Sequence, residues 1–300
     1  MKNYLKPLLL FAVVSVLFSC KSVDLRSDYL KEKTTEEGMA QKGIRLLTEA
    51  NQAMGYDKLA STEVYEATAH FKWKGALLLM PMNALPGNNN KDVQFRFATN
   101  SFDGQVEYLE GRKENKIHGL QSWQGYYAEN AEEEIEECNS KRYSWGLSTY
   151  HYLLEAPMRL LQAEIIKYAG ERTLNGKTYD LVFVTWGSEA PNKEYDQWMV
   201  YINKETKFID MTEVTISDFF VPSPKPLQHG SILYEGRTRT SIGTYLPSEV
   251  VIQIGKPKEA DRGAYRISFK DYKFDSFNKD LLYPLQDLEY VGDSKPDVGE

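Results

Sequence analysis

A chain of 300 residues that is 42% hydrophobic and 26% charged can bury a sizeable core, and with 12 Pro and 2 Cys it is neither disordered nor built on disulfides. Its formal charge of −7, from 36 basic and 43 acidic residues, argues against a general nucleic-acid binder, because neutralising phosphates requires a basic face. An aromatic content of 13%, carried by 20 Tyr, 13 Phe and 5 Trp, favours strands over helices.

Residues 1–19 read as an address. A basic start at Lys2 and Lys6 precedes an apolar run from Leu8 to Phe18, which is shorter than the ~20 residues a spanning helix needs and fits the core of a secretory signal. The run ends Leu17-Phe18-Ser19-Cys20. This resembles the lipobox of bacterial lipoproteins, which implies cleavage before Cys20 and lipidation of that residue. Several acyl chains on one Cys give stable anchoring, since each buried methylene contributes about 0.8 kcal/mol. Lys21, rather than Asp, follows the Cys; by resemblance to known sorting rules this implies outer-membrane residence, with the periplasmic and surface faces both open. With Cys20 lipidated, Cys138 is the single free thiol. It lies beside Glu132–Glu134, Glu136 and Glu137, an acidic setting that disfavours a thiolate, so it reads as incidental rather than catalytic.

Residues 20–35 are polar, without a clear period, and read as a lipidated tether. Thr34-x-x-Glu37 has the form of a capping box. Ala40, Ile44, Leu47, Ala50 and Met54 follow at helical spacing, and Gly55 stands where a C-terminal cap would, giving a helix over 36–54. Alternation then predicts strands over Tyr65–Trp73, Val93–Phe97 and, more weakly, Val106–Tyr108. A second helix is expected around Pro157, Leu161, Ile165 and Tyr168, ending at Gly170. Asn175-Gly176 predicts a type I′ hairpin. Further strands are expected at Leu181–Trp186, Trp198–Ile202, Phe208–Ile216, Ile232–Tyr234, Glu249–Ile254 and Tyr265–Phe274, the second and third joined through Asn203–Thr206. The tail 291–300 is polar. The pattern predicts an α+β, mainly β domain over 36–290: one curved antiparallel sheet with helices on one side.

Motifs of catalysis are weak. Gly170 and Gly176 are separated by five residues, not four, in a helix-to-strand rather than strand-to-helix setting, which excludes a phosphate loop. His70, His118, His151 and His229 show no metal-ligand spacing, and the acidic run 132–137 lacks the rhythm of a calcium loop. Neither a cofactor nor a metal is called for, and no residue is nominated as catalytic.

The stretch Gly170–Trp186, the hairpin Tyr195–Ile209 closing on Asn203-Lys-Glu-Thr206, and the step Gly243-Thr-Tyr-Leu-Pro247-Ser-Glu-Val together resemble envelope lipoproteins of the Lol (LolA/LolB-like) carrier and receptor family. The resemblance implies an unclosed antiparallel half-barrel with helices on its concave side. It further implies an apolar concave lining, for which the strand aromatics Phe71, Trp73, Phe95, Phe97, Phe183, Trp186 and Trp198 are the candidates. The same aromatics read equally as ordinary core. The unbroken apolar run Leu77-Leu78-Leu79-Met80-Pro81-Met82 is a candidate lid or buried strand, with membrane contact as the alternative. Three functions follow in order: binding a lipid or acyl group in the concave face, an envelope protein-interaction module with a filled core, and a hydrolase of an envelope polymer. The expected partners are the membrane through Cys20, a lipid or acyl ligand and an envelope protein, with no nucleic acid.

Overall fold

The computed structural model describes residues 23–32, 37–75, 85–217, 228–258, 263–286 and 288–292. The signal segment, Cys20, the apolar run 76–84 with Leu77, Leu78, Leu79, Met80 and Met82, and the end of the polar tail lie outside the described residues.

Among the described residues thirteen strands join into one sheet in which every neighbouring pair is antiparallel. The first six are β1 (Val64–Trp73), β2 (Asp92–Ala98), β3 (Gly104–Tyr108), β4 (Ile117–Gln121), β5 (Gln124–Ala128) and β6 (Glu136–Glu137). The other seven are β7 (Ile165–Leu174), β8 (Lys177–Thr185), β9 (Trp198–Asn203), β10 (Ile209–Thr215), β11 (His229–Arg239), β12 (Tyr245–Ile254) and β13 (Tyr265–Phe274). Each group is a meander, and the two are stitched together where β13 pairs with β1, so the free edges are β6 and β7. The sheet does not close, which makes it the open half-barrel expected from the sequence. Register shifts in the β1–β13, β7–β8, β9–β10 and β11–β12 pairs bend the strands and add to the curvature.

Four α-helices are described: α1 (Asp28–Glu32), α2 (Glu37–Met54), α3 (Tyr56–Leu59) and α4 (Lys141–Leu160). Leu46, Leu47, Ala50 and Met54 of α2 and Leu147, Tyr150, Leu153, Leu154 and Leu160 of α4 share one buried cluster with inner-face residues such as Phe71, Phe95, Phe97, Val182, Val200 and Ile267. Ile44, expected on the apolar face of α2, is 48% exposed. The helix instead presents Gly43 to the sheet, where a Cβ would stand 2.8 Å from the backbone of Lys167 and Tyr168 in β7. Side-chain-free approach at this point lets α2 cross the sheet edge, with Met39 on one face and Leu46 and Leu47 on the other. Gly55 ends α2 with φ 72°, as a C-terminal glycine should.

The N-terminal segment departs from a free tether. Leu30 is fully buried on the outer face with Leu181, Phe183 and Met199. Leu25 donates its N–H to Gln197 Oε1 (2.8 Å), and Ser27 Oγ donates to the Ala169 carbonyl (2.7 Å). Two apolar residues in a polar stretch are enough to dock it once a partner face exists.

The second expected helix requires correction. The helix occupies 141–160, and Ile165 to Gly170 belong to strand β7. Pro157 sits in the last turns of α4, not its first, where its missing N–H forfeits a single intrahelical bond. The true helix is built from Tyr, Ser, Trp, Gly, Thr and His, residues of modest helix propensity. Tertiary burial of Leu147, Tyr150, Leu153 and Leu154 therefore decides its state. The Asn175-Gly176 hairpin is present, with φ 49° and 77° and Leu174 opposite Lys177.

Candidate functional site

The aromatics nominated as an apolar lining separate into three groups. Phe71, Phe95 and Phe97 are fully buried, and Trp198 nearly so, in the inner cluster. Tyr150 of α4 lies 4.3 Å from the Phe95 ring and 6.4 Å from Phe71. Trp73 and Trp186 are partly buried at the margin of that cluster. Phe183 points to the opposite face, because it lies in register with Met199 while Val184 lies opposite Trp198. Among the described residues the inner face is thus filled by α2 and α4.

The packing is pinned by a buried polar ladder on α4. His151, Glu155 and Arg159, spaced by four residues, are 0%, 0% and 1% exposed. Glu155 Oε1 accepts from Tyr65 Oη (2.6 Å) and meets His151 Nδ1 at 2.9 Å, while Oε2 accepts from Arg159 Nε at 2.6 Å. Arg159 also donates to the carbonyls of Thr99 (3.1 Å) and Ser101 (2.7 Å) and lies 4.6 Å over the Phe102 ring. Burial pushes the Glu155 carboxyl up, but Arg159 and His151 outweigh it and hold the group below its ordinary range. Closed to solvent, with only His151 Nε2 of the three side chains left without a partner among the described residues, this ladder clamps helix to sheet through Tyr65 and the Thr99 and Ser101 carbonyls.

An open concavity among the described residues lies at one end of the sheet. It is a cleft of about 750 Å³ lined by Trp73, Asn88, Asn89, Lys91, Gly111, Arg112, Lys113, Lys116, His118, Tyr127 and Tyr143. The C-terminal end of β1 supplies Trp73, the β3–β4 turn supplies Arg112, Lys113 and Lys116, β4 supplies His118, β5 supplies Tyr127, and the start of α4 supplies Tyr143. In its lining Asn89 Oδ1 accepts the Trp73 backbone N–H (2.9 Å), and the segment leading to Asn88 and Asn89 is tied to α4 by Tyr150, whose hydroxyl donates to the Pro86 carbonyl (2.6 Å). The β3–β4 turn closes through Asn115, at φ 67°, whose N–H reaches the Tyr108 carbonyl at 2.7 Å.

Aromatic rings and cations alternate along the cleft. The His118 ring stacks on Tyr143 at 3.7 Å and 11°, with the Tyr127 ring tilted against it at 4.8 Å. Lys113 Nζ donates to Tyr143 Oη (3.1 Å) and stands 4.8 Å over the Tyr108 ring. Burial, reinforced by Lys113, Arg142 and Lys116, lowers the His118 pKa to about 3, so the imidazole is neutral near pH 7. Its Nδ1 and the Nε1 of Trp73 are buried without a hydrogen-bond partner among the described residues. No group of three or more His, Cys, Asp or Glu with metal-binding geometry occurs among the described residues.

Of the described residues nominated from sequence, Trp73 alone lines this cleft. The signal that identifies the rest is the basic turn Gly111-Arg112-Lys113-Glu-Asn-Lys116 set between aromatic strands of an acidic chain.

No protein-family model matches the chain, and no curated protein matches it in sequence. Several solved structures share its general layout. A DUF1329 family protein from Desulfovibrio piger aligns over 80% of this chain and 95% of its own, at 8% identity and a TM-score of 0.49. A putative outer membrane lipoprotein-sorting protein domain from Vibrio parahaemolyticus covers 81% and 97% at 7% identity and 0.49. A LolA superfamily protein from Nitrosomonas europaea covers 81% and 97% at 7% identity and 0.47. The half-barrel itself is read from the strand order and register of this chain.

Proposed function

We propose that the protein is an envelope lipoprotein, anchored to the outer membrane through lipidated Cys20, that binds a lipid or acyl group at the mouth of its half-barrel and performs no catalysis. The observation that carries this reading is the cleft beside α4, where Trp73, Tyr127, Tyr143 and the neutral His118 ring form an apolar wall next to a closed interior. Binding there removes aromatic surface from water at about 25 cal/mol per Å², less the cost of ordering the ligand. The apolar sequence Leu77-Leu78-Leu79-Met80-Pro81-Met82 joins two segments that line the cleft. Native mass spectrometry of the protein purified from its own envelope tests this. A lipid-sized adduct that disappears in Tyr143→Ala supports it, and a clean unliganded mass counts against it. Fractionation tests the anchor: Cys20→Ser releases the protein from the membrane if the assignment is right.

A second reading has its own support. Phe71, Phe95 and Phe97, fully covered by α4, leave the deep concave face filled, as an interaction module would. In that case crosslinking captures an envelope protein at the cleft and no lipid.

A further inference from the structure

We infer that the cleft recognises a phosphate group carried on an apolar body; this rests on the binding reading above and names the chemistry of its ligand. The chain as a whole is acidic, yet no carboxylate lines the cleft, while four cationic side chains do. Two of the four are already neutralised from outside it. Lys91 pairs with Glu110 at 3.1 Å and Lys116 with Glu129 at 2.7 Å. Arg112 and Lys113 have no carboxylate partner among the described residues, and they are adjacent on the same turn. Lys113 is held over aromatic faces instead, by Tyr143 Oη and the Tyr108 ring. A cation kept in place without a counter-charge retains its full attraction for an incoming anion, because nothing has to be displaced.

The neutral groups point the same way. Trp73 Nε1 is a donor with no acceptor, and the unpartnered Nδ1 of His118 completes its hydrogen bonding if the ring turns its proton towards a ligand oxygen. A guanidinium and an ammonium with two ring nitrogens match the near-double charge and the three or four oxygens of a phosphate ester better than the single charge and two oxygens of a carboxylate. The stacked His118–Tyr143 wall then receives the apolar body attached to it. A phospholipid headgroup and a soluble organic phosphate share this chemistry.

The test is calorimetric titration of the acyl-free full chain (Cys20→Ser) with three probes below any micelle concentration: octyl phosphate, octyl glucoside and inorganic phosphate. The expected result is binding of octyl phosphate well above octyl glucoside, weakened by added salt and reduced by about tenfold or more in Arg112→Gln/Lys113→Gln. Trp73→Phe, which keeps a ring and removes Nε1, weakens octyl phosphate more than octyl glucoside. Arg112 is exposed, so the single Arg112→Gln variant is the fallback if the double variant melts early. Inorganic phosphate binding much more weakly than octyl phosphate identifies a lipid headgroup as the source. Inorganic phosphate binding equally well, and being lost in the double variant, supports the anion site with a soluble source and removes the lipid reading. Equal binding of the two octyl probes, indifferent to the double variant, overturns phosphate recognition and leaves apolar binding standing. Failure of every probe to bind overturns both.

Discussion

Replacing Glu155 by Gln tests how the half-barrel is held shut. The side chain keeps its shape and an acceptor for Tyr65 Oη, but the negative charge between His151 and Arg159 is gone. Arg159 retains the Thr99 and Ser101 carbonyls and the Phe102 face, yet its charge stays buried at 1% exposure and loses the Glu155 carboxylate. Removing one partner of a buried ion pair costs about 3–5 kcal/mol. The retained carbonyl contacts put Glu155→Gln near the lower end. Glu155→Ala, which also orphans Tyr65 Oη and opens a void, falls near the upper end. At about 2 °C per kcal/mol for a chain of this size, Glu155→Gln lowers the melting temperature by about 6 °C. Urea unfolding at neutral pH, followed by tryptophan fluorescence, gives the free energy directly. Arg159→Met alone is comparably destabilising, whereas the Glu155→Leu/Arg159→Met pair recovers most of the loss, because no buried charge remains. Additive single and double values, or a Glu155→Gln protein within about 0.5 kcal/mol of the parent, refute the clamp.

Other expectations are as direct. His118 protonates in the unfolded chain near its ordinary value of 6.5 but in the fold only near 3. Its contribution to stability is therefore complete above pH 6.5 and is lost as the pH falls towards 3; His118→Phe flattens that slope in a pH series of urea midpoints. The Glu155 carboxyl, depressed in the fold, contributes stability above its ordinary 4.5 that is lost as the pH falls through the lowered value, so Glu155→Gln removes that part of the acid dependence. Gly43→Val drives a side chain into the β7 backbone 2.8 Å away and detaches α2 from the sheet edge, seen as faster hydrogen exchange across α2. At Gly119 a Cβ would stand 1.9 Å from the Tyr126 ring, which lies across the glycine from its paired position in β5, so Gly119→Ala costs about 1–3 kcal/mol in a thermal melt.

The parts of the fold legible in the sequence are those where local chemistry and tertiary need agree. Period-two alternation located β1 and β2, and Asn175-Gly176 announced its hairpin because the two residues tolerate φ above zero. Helix α4 was misplaced because Pro157 mimics a helix start and the Tyr-Ser-Trp-Gly stretch lacks propensity; burial against β3, β4 and β5 overrides both. Phe183 was grouped with the inner aromatics because a strand buried on both faces hides its parity. The cleft was hardest to read. Its cations and rings come from six segments spread from Trp73 to Tyr143, and only the strand order β1-β2-β3-β4-β5 brings them to one end.

The filled interior and the charged mouth are linked by the same helix. Tyr150, His151 and Glu155 of α4 occupy the inner face beneath Phe71, Phe95 and Phe97, while Tyr143, two turns earlier, reaches the cleft and stacks on His118. A ligand seated on Tyr143 therefore presses on the element that the Glu155–Arg159 clamp fixes. Deep entry of an acyl chain would require α4 to leave Thr99 and Ser101 and expose a buried guanidinium, at a cost comparable to the clamp's own few kcal/mol. Superficial binding at the mouth needs no such movement. Ligand protection thus discriminates the two: a ligand confined to the cleft slows hydrogen exchange at the β3–β4 turn and the first turns of α4 and leaves residues 151–160 unchanged. One that enters the barrel loosens those residues as it binds.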